Sequence, residues 1–245
     1  MYLLLLALAP AILLMVYVYF RDRYEKEPIS LILRGMLLGV IVIFPVGVIE
    51  NYLTGLGVSM DKIPKAAYDG FIVAGATEEA FKYIMVFILV WRNPNFNEKF
   101  DGIVYAVSVA LGFAAVENLF YVFSNNSMQV GLLRAFTAVP GHTIFGVVMG
   151  FYLGLARFDP SNRRKWLLRA FMVPWLLHGV YDFLLMSGHP VLLLVFIPFL
   201  IFMYRLGIKR MRELNNQSVF NPVNINFSNQ QEDPFNNQSS HNRTD

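Results

Sequence analysis

The chain has 245 residues, 56% of them hydrophobic and only 15% charged, with a net charge of +3. Soluble domains carry about 25% charged residues, so the composition argues for an integral membrane protein over a soluble one with a single large core. Cysteine is absent, which excludes disulfides, thiolate metal sites and a cysteine nucleophile.

Apolar runs of the length needed to cross a bilayer fall at about residues 2–20, 31–53, 67–91, 102–123, 131–156, 167–187 and 190–206. They predict an all-α polytopic membrane protein, a bundle of about seven transmembrane helices. The first run has no basic leader and is followed by Arg21, Arg23 and Lys26, the pattern of an uncleaved anchor. Counted over alternate loops, one side carries fifteen Lys and Arg residues, and the other carries three, Lys62, Lys65 and Arg134. The positive-inside rule makes the fifteen-residue side cytoplasmic, with the N-terminus outside and the C-terminus inside. Residues 1–212 then form the transmembrane unit. From 213 to 245 a disordered, Asn/Gln-rich cytoplasmic tail is expected, since thirteen of residues 215–245 are Asn or Gln.

Ionisable residues interrupt four consecutive spans. The third holds Thr77-Glu78-Glu79-Ala80-Phe81-Lys82, although each charge at such a depth costs about 2.5–3.5 kcal/mol on the lenient insertion scale. The fourth holds Phe113 and Glu117, the fifth Arg134 and His142, and the sixth His178 and Asp182. At 1.5 Å per residue, Glu78 lies roughly 17 Å below the outer end of its span and His142 about 16 Å below the outer surface. Glu117, His178 and Asp182 lie roughly 22, 16 and 22 Å from the inner surface. All five fall between the midplane and the outer third of the hydrocarbon core, so four helices are expected to build one site. Glu78 pairs with Lys82 and His178 with Asp182 at four-residue spacing. Pro140 and Pro174, just before the two histidines, should leave backbone carbonyls without donors and kink their helices. Phe113 reads as core packing.

Water-dependent hydrolysis suits this inventory. A carboxylate can act as general base while a second acid or a histidine handles protons or the oxyanion. Glu and His could equally hold a metal that activates water. No His-Glu-x-x-His is present, which removes the usual zincin arrangement. Ser108 lacks the framing of a serine nucleophile. Intramembrane acids also mark ion relays, so a proton- or cation-coupled transporter is the competing reading, and a non-catalytic binder of a membrane partner is a third.

The ordered set Glu78-Glu79-x-x-Lys82, Phe113-x-x-x-Glu117, Arg134 to His142, and His178-x-x-x-Asp182 resembles the PrsW family of bacterial membrane proteases. These are distant relatives of the CAAX prenyl endopeptidases and bacteriocin-immunity membrane proteins. The resemblance spans residues 1 to about 210. It implies an intramembrane endopeptidase of the bacterial plasma membrane that performs site-one cleavage of a single-pass anti-sigma factor, activating an envelope-stress sigma factor. It marks Glu78, Glu79 and His178 as catalytic, with Lys82, Glu117, Arg134, His142 and Asp182 in support. A zinc ion on Glu79, Glu117, His142, His178 and Asp182 and a metal-free glutamate mechanism both stay open. The lipid bilayer and the protein substrate are the implied partners, and nucleic acid is not.

Overall fold

The protein is described by a computed structural model over residues 2–225. All regular structure among the described residues is helical: α1 (Tyr2–Arg21), α2 (Ile29–Leu56), α3 (Lys62–Tyr68), a π-helical segment (Asp69–Ala76), α4 (Thr77–Val90), α5 (Asp101–Asn125), α6 (Met128–Phe136), α7 (Ala138–Phe158), a short turn of 3-10 helix (Pro160–Asn162), α8 (Arg163–Met186) and α9 (Pro190–Asn216).

Five stretches are long and apolar enough to cross a membrane: α1, α2, α5, the combined α6–α7 run Met128–Phe158, and α9. The sequence led us to expect about seven. The two expected spans outside this set hold Glu78–Lys82 and His178–Asp182. One is split by the π-helical segment and carries two acids and a lysine, and the other, α8, opens on Arg163, Arg164 and Lys165. The split leaves α4 only 14 residues long, and in α8 the basic start together with His178 and Asp182 lowers the hydropathy.

Helices α5 and α7 form the centre. In α7, Gly146, Gly150 and Gly154 recur every fourth residue and place one bare face against α5, where Gly102, Ala106 and Ala110 recur at the same spacing. Small residues at this spacing let two backbones approach closely in a bilayer, where lipid tails supply no hydrophobic drive for helix association. A Cβ built on Gly102 would lie 2.5 Å from the Gly150 carbonyl oxygen, and one on Gly150 would overlap the Gly102 carbonyl. Gly150→Ala is therefore expected to cost about 1–3 kcal/mol through overpacking. Gly47→Ala, whose Cβ meets nothing within 4 Å, should leave the thermal midpoint in detergent unchanged or slightly raised. Equal midpoints for the two variants would show that α5 and α7 are not held at backbone contact.

Helices α1, α2 and α9 surround this core and turn large apolar residues outward, including Leu13, Leu37 and Leu194. Such exposure suits a lipid-facing surface.

The expected fifth span is two helices. Asn126 ends α5 in the left-handed region (φ 43°), and Ser127 then accepts a hydrogen bond from the Val130 amide to start α6. The chain breaks again at Thr137 (φ −123°, ψ −66°). Pro140 consequently sits in the first turn of α7, where its missing N–H leaves no helical bond unmade. It starts a helix, where a mid-helix kink was expected. Pro174 does lie inside α8.

At the end of the bundle that carries the basic loops, the start of the expected tail is packed against the helices. Helix α9 runs through Asn216, Asn215 donates to the Arg21 carbonyl (2.9 Å), Lys99 to Gln217 (3.0 Å) and Ser218 to Glu98. Residues 213–225 thus begin as ordered structure, and the rest of the expected tail lies outside the described residues. Acids cluster at this end. Burial and the neighbouring Glu98 and Asp101 push the Asp22 carboxyl up to about 8, and burial pushes Glu27 up to about 7.

Candidate active site

The π-helical segment directly precedes the acid pair. Its wider turns carry two glycines, Gly70 and Gly75, and it lies against α8 so closely that a Cβ on Gly70 would fall 2.8 Å from the Phe183 amide nitrogen. Trp175 of α8 donates its indole N–H to the Phe71 carbonyl (2.6 Å), pinning the segment there. Helix α4 then begins with Thr77, and its first turn faces α8.

Lys82 is the hub of the site. It is almost fully buried, and its ammonium donates to Glu78 Oε2 (2.8 Å) and Glu79 Oε1 (2.9 Å) and meets His142 Nδ1 at 3.0 Å. The sequence paired Lys82 with Glu78 alone; the structure gives it both acids. The Phe113 ring covers the same ammonium at 4.3 Å, a cation–π contact. Phe113 therefore does more than pack, although it also joins Val42, Ile43 and Val46 in the apolar core.

His178 is held between two carboxylates, and His142 between a carboxylate and the Lys82 ammonium. His142 faces Lys82 with Nδ1 and meets Glu117 Oε2 with Nε2 at 2.8 Å. His178 meets Glu79 Oε1 with Nδ1 (2.9 Å) and Asp182 Oδ2 with Nε2 (3.2 Å). Arg134 closes the outer ring: it pairs with Glu117 (2.9 Å), donates Nε to Asn118 (3.0 Å) and lies over the Tyr121 ring at 3.9 Å. Phe145 stacks on His178 with centroids 4.7 Å apart and 17° between planes. All eight polar residues singled out from the sequence therefore meet in one network.

The network opens onto a cavity of about 690 Å³ lined by Glu50, Glu78, Phe113, Glu117, Arg134, His142, His178, Tyr181 and Asp182 among others. Glu79 is fully buried, and neither it nor Lys82 is part of that lining. Two functional neighbours escaped the sequence reading. Glu50 sits near the outer end of an expected span, where depth does not mark an acid as unusual, yet it faces the same cavity and leaves Oε1 buried without a hydrogen-bond partner. Asn118 is fully buried, holds Arg134 and donates to the Ala7 carbonyl (2.9 Å); its position next to Glu117 was the only signal.

The donor atoms that converge within 4.8 Å of one another belong to Glu78, Glu79, His142 and His178. The expected ligand set had Glu117 and Asp182 in place of Glu78. Glu117 and Asp182 stand behind the imidazoles and orient them, as outer carboxylates do for metal-bound histidines, while Glu78 joins the inner four. Two imidazoles and two carboxylates suit a zinc-type ion, and the buried Glu79 Oε2 has no hydrogen-bond partner. The residues fit such an ion in donor type and proximity. Lys82 already contacts three of the four, so it and a cation would compete for the same centre.

A family profile described as PrsW family intramembrane metalloprotease matches residues 27–205. The chain is 40% identical to Protease PrsW of Geobacillus kaustophilus over 179 residues, covering 73% of this chain and 77% of that protein. It is 36% identical to Protease PrsW of Bacillus subtilis over 213 residues, 86% and 95% of the two chains. Protease PrsW of Clostridioides difficile is 34% identical over 219 residues, 87% and 92%. No solved structure matches.

Proposed function

Since this chain belongs to the PrsW family of intramembrane proteases, we propose that it cleaves a membrane-anchored anti-sigma factor near the extracytoplasmic face. This is the site-one step that frees an envelope-stress sigma factor. The protein is a multi-pass membrane protease, and family membership favours hydrolysis over ion-coupled transport. The observation that carries the proposal is the cavity, which brings Glu78, Glu117, His142 and His178 to one opening within a bundle of apolar helices.

Roles divide according to access. Glu78 lines the cavity and takes a proton from water, whose oxygen attacks the scissile carbonyl carbon. The developing oxyanion takes over the Nε2–H of His178, which lines the cavity and in the substrate-free site is held by Asp182 at 3.2 Å. Glu78 then returns the proton to the departing amine. Glu79 works from behind: it holds His178 and, with Glu78, fixes Lys82. Glu117 and Arg134 hold His142, and Asp182 orients His178. Glu78, Glu79, His142 and His178 are the residues that would hold a zinc ion, which when bound lowers the pKa of water and polarises a carbonyl.

The fifteen-to-three loop asymmetry supports this side of cleavage, since the positive-inside rule assigns the basic loops to the cytoplasm. The site lies toward the opposite end, among the first turns of α4 and α7 and the last turns of α8.

The test is co-reconstitution of the purified chain with a single-pass anti-sigma substrate in liposomes. A fragment cut on the extracytoplasmic side is expected, and His178→Ala should slow its formation by about 10²–10⁴-fold. Folded protein that leaves such substrates intact overturns the reading. A chelator arm assigns the central charge. Activity lost to the chelator and restored by Zn²⁺ gives it to a metal, while unchanged activity gives it to Lys82.

A further inference from the structure

We propose that Glu25, Glu27 and Asp101 bind a hard divalent cation, Mg²⁺ or Ca²⁺, at the basic-loop end of the bundle, remote from the protease site. One carboxylate oxygen from each of the three lies within 4.8 Å of the others.

The hydrogen bonds show how these carboxylates are aimed. Asp101 accepts the Asn97 and Glu98 amides on Oδ2 (2.8 and 2.7 Å), Glu27 accepts the Tyr105 hydroxyl on Oε2, and Glu25 accepts Asn97 Nδ2 on Oε1 (3.3 Å). In each residue one oxygen is thereby fixed. The other oxygen, Asp101 Oδ1, Glu27 Oε1 or Glu25 Oε2, is buried with no hydrogen-bond partner. Asp101 is 0% exposed and Glu27 1%. Glu27 and Asp101 also lie close enough to share a proton between their carboxyls; a cation would sit where that proton sits, and hydrogen bonding of the outer oxygen is how such ligands are held.

A third buried acid reinforces this. Asp22 is fully buried, and neither of its carboxylate oxygens has a hydrogen-bond partner. The like charges acting on it are Glu98, Asp101 and Glu25, and Lys26 is the cation that acts on it. The Lys26 ammonium is itself engaged by the main-chain carbonyls of Tyr19 and Asp22. Buried acids are costly unless protons or a cation neutralise them, and the one cation acting on Asp22 is an exposed lysine. An all-oxygen, all-carboxylate set with no imidazole selects a hard ion over zinc or copper. A bound cation would clasp the loop between α1 and α2 to the first turn of α5, and through the Glu98–Ser218 bond to the segment after α9.

The test uses purified full-length protein in detergent, stripped with a chelator and titrated with Tb³⁺ under tyrosine excitation. Because Tyr105 donates to Glu27, its ring should sensitise a single saturable Tb³⁺ emission that Ca²⁺ or Mg²⁺ competes away. Glu25→Gln, at a partly exposed position, should weaken Tb³⁺ binding at least about tenfold, which places the ion here and not at the Glu78/His178 cluster. Tyr105→Phe should lose the emission yet keep the rise in thermal midpoint caused by Ca²⁺ or Mg²⁺. Either of two results overturns the proposal: no saturable binding and no midpoint shift with any of these ions, or binding indifferent to Glu25→Gln. The first would leave a proton shared between Glu27 and Asp101 as the means by which this cluster is neutralised.

Discussion

Glu78→Gln is expected to lower the rate of substrate cleavage by about 10²–10⁴-fold, the range lost when a positioned general base is removed, with the protein still folded. The side chain keeps its shape, and an amide oxygen can still accept from Lys82, whose present bond to Glu78 Oε2 is 2.8 Å. What disappears is the basic oxygen at the cavity wall. The effect should fall on kcat, since Glu78 acts on water and not on substrate docking. Glu79→Gln should behave differently. Glu79 is fully buried and holds both His178 (2.9 Å) and Lys82 (2.9 Å), so its replacement should reduce stability and activity together. Initial rates in liposomes, paired with thermal midpoints, separate the two patterns. A Glu78→Gln enzyme cutting at the wild-type rate would move the base to another cavity carboxylate, with Glu117 next in line.

The largest stability effect should come from Lys82→Met. Removing one member of a buried ion pair strands its partner charges and costs about 3–5 kcal/mol. Here the ammonium is shared by Glu78, Glu79 and His142 and capped by Phe113, which favours the upper part of that range. Much of the cost is the stranding of two carboxylates. The triple variant Glu78→Gln, Glu79→Gln, Lys82→Met should therefore be more stable than Lys82→Met alone, the non-additivity expected of groups in one network. Denaturant titration in mixed micelles reads both. If Lys82→Met unfolds with the wild-type enzyme, the acids are neutralised by something other than this lysine.

The position of the site was legible because charge is expensive in hydrocarbon. Depth arithmetic on Glu78, Glu117, His142, His178 and Asp182 places them at one level, and the structure joins them through bonds of 2.8–3.2 Å. Their division of labour was not legible. Spacing along one helix shows which side chains share a face but not which carboxylate of a neighbouring helix stands behind an imidazole, so Glu117 and Asp182 were placed among the ligands. Glu50 was missed because an acid near a span end costs little. The Gly146, Gly150, Gly154 face of α7 reads in sequence as ordinary apolar composition, and only the partner helix shows why the side chains are absent. The break at Thr137 lies inside a continuous apolar run and interrupts no hydropathy signal.

The π-helical segment Asp69–Ala76 sets the angular phase of everything after it. A regular α-helix advances about 100° per residue and a π-turn holds one residue more than an α-turn, so winding this segment as ordinary α-helix at the same length would rotate Glu78, Glu79 and Lys82 together by about that angle. The acid pair would keep its own spacing and its bond to Lys82, yet turn away from His142 and His178. Loss of the π-turn at constant chain length would thus uncouple two intact halves of the site, with no catalytic side chain altered. In this protein the register of a helix is itself part of the active site.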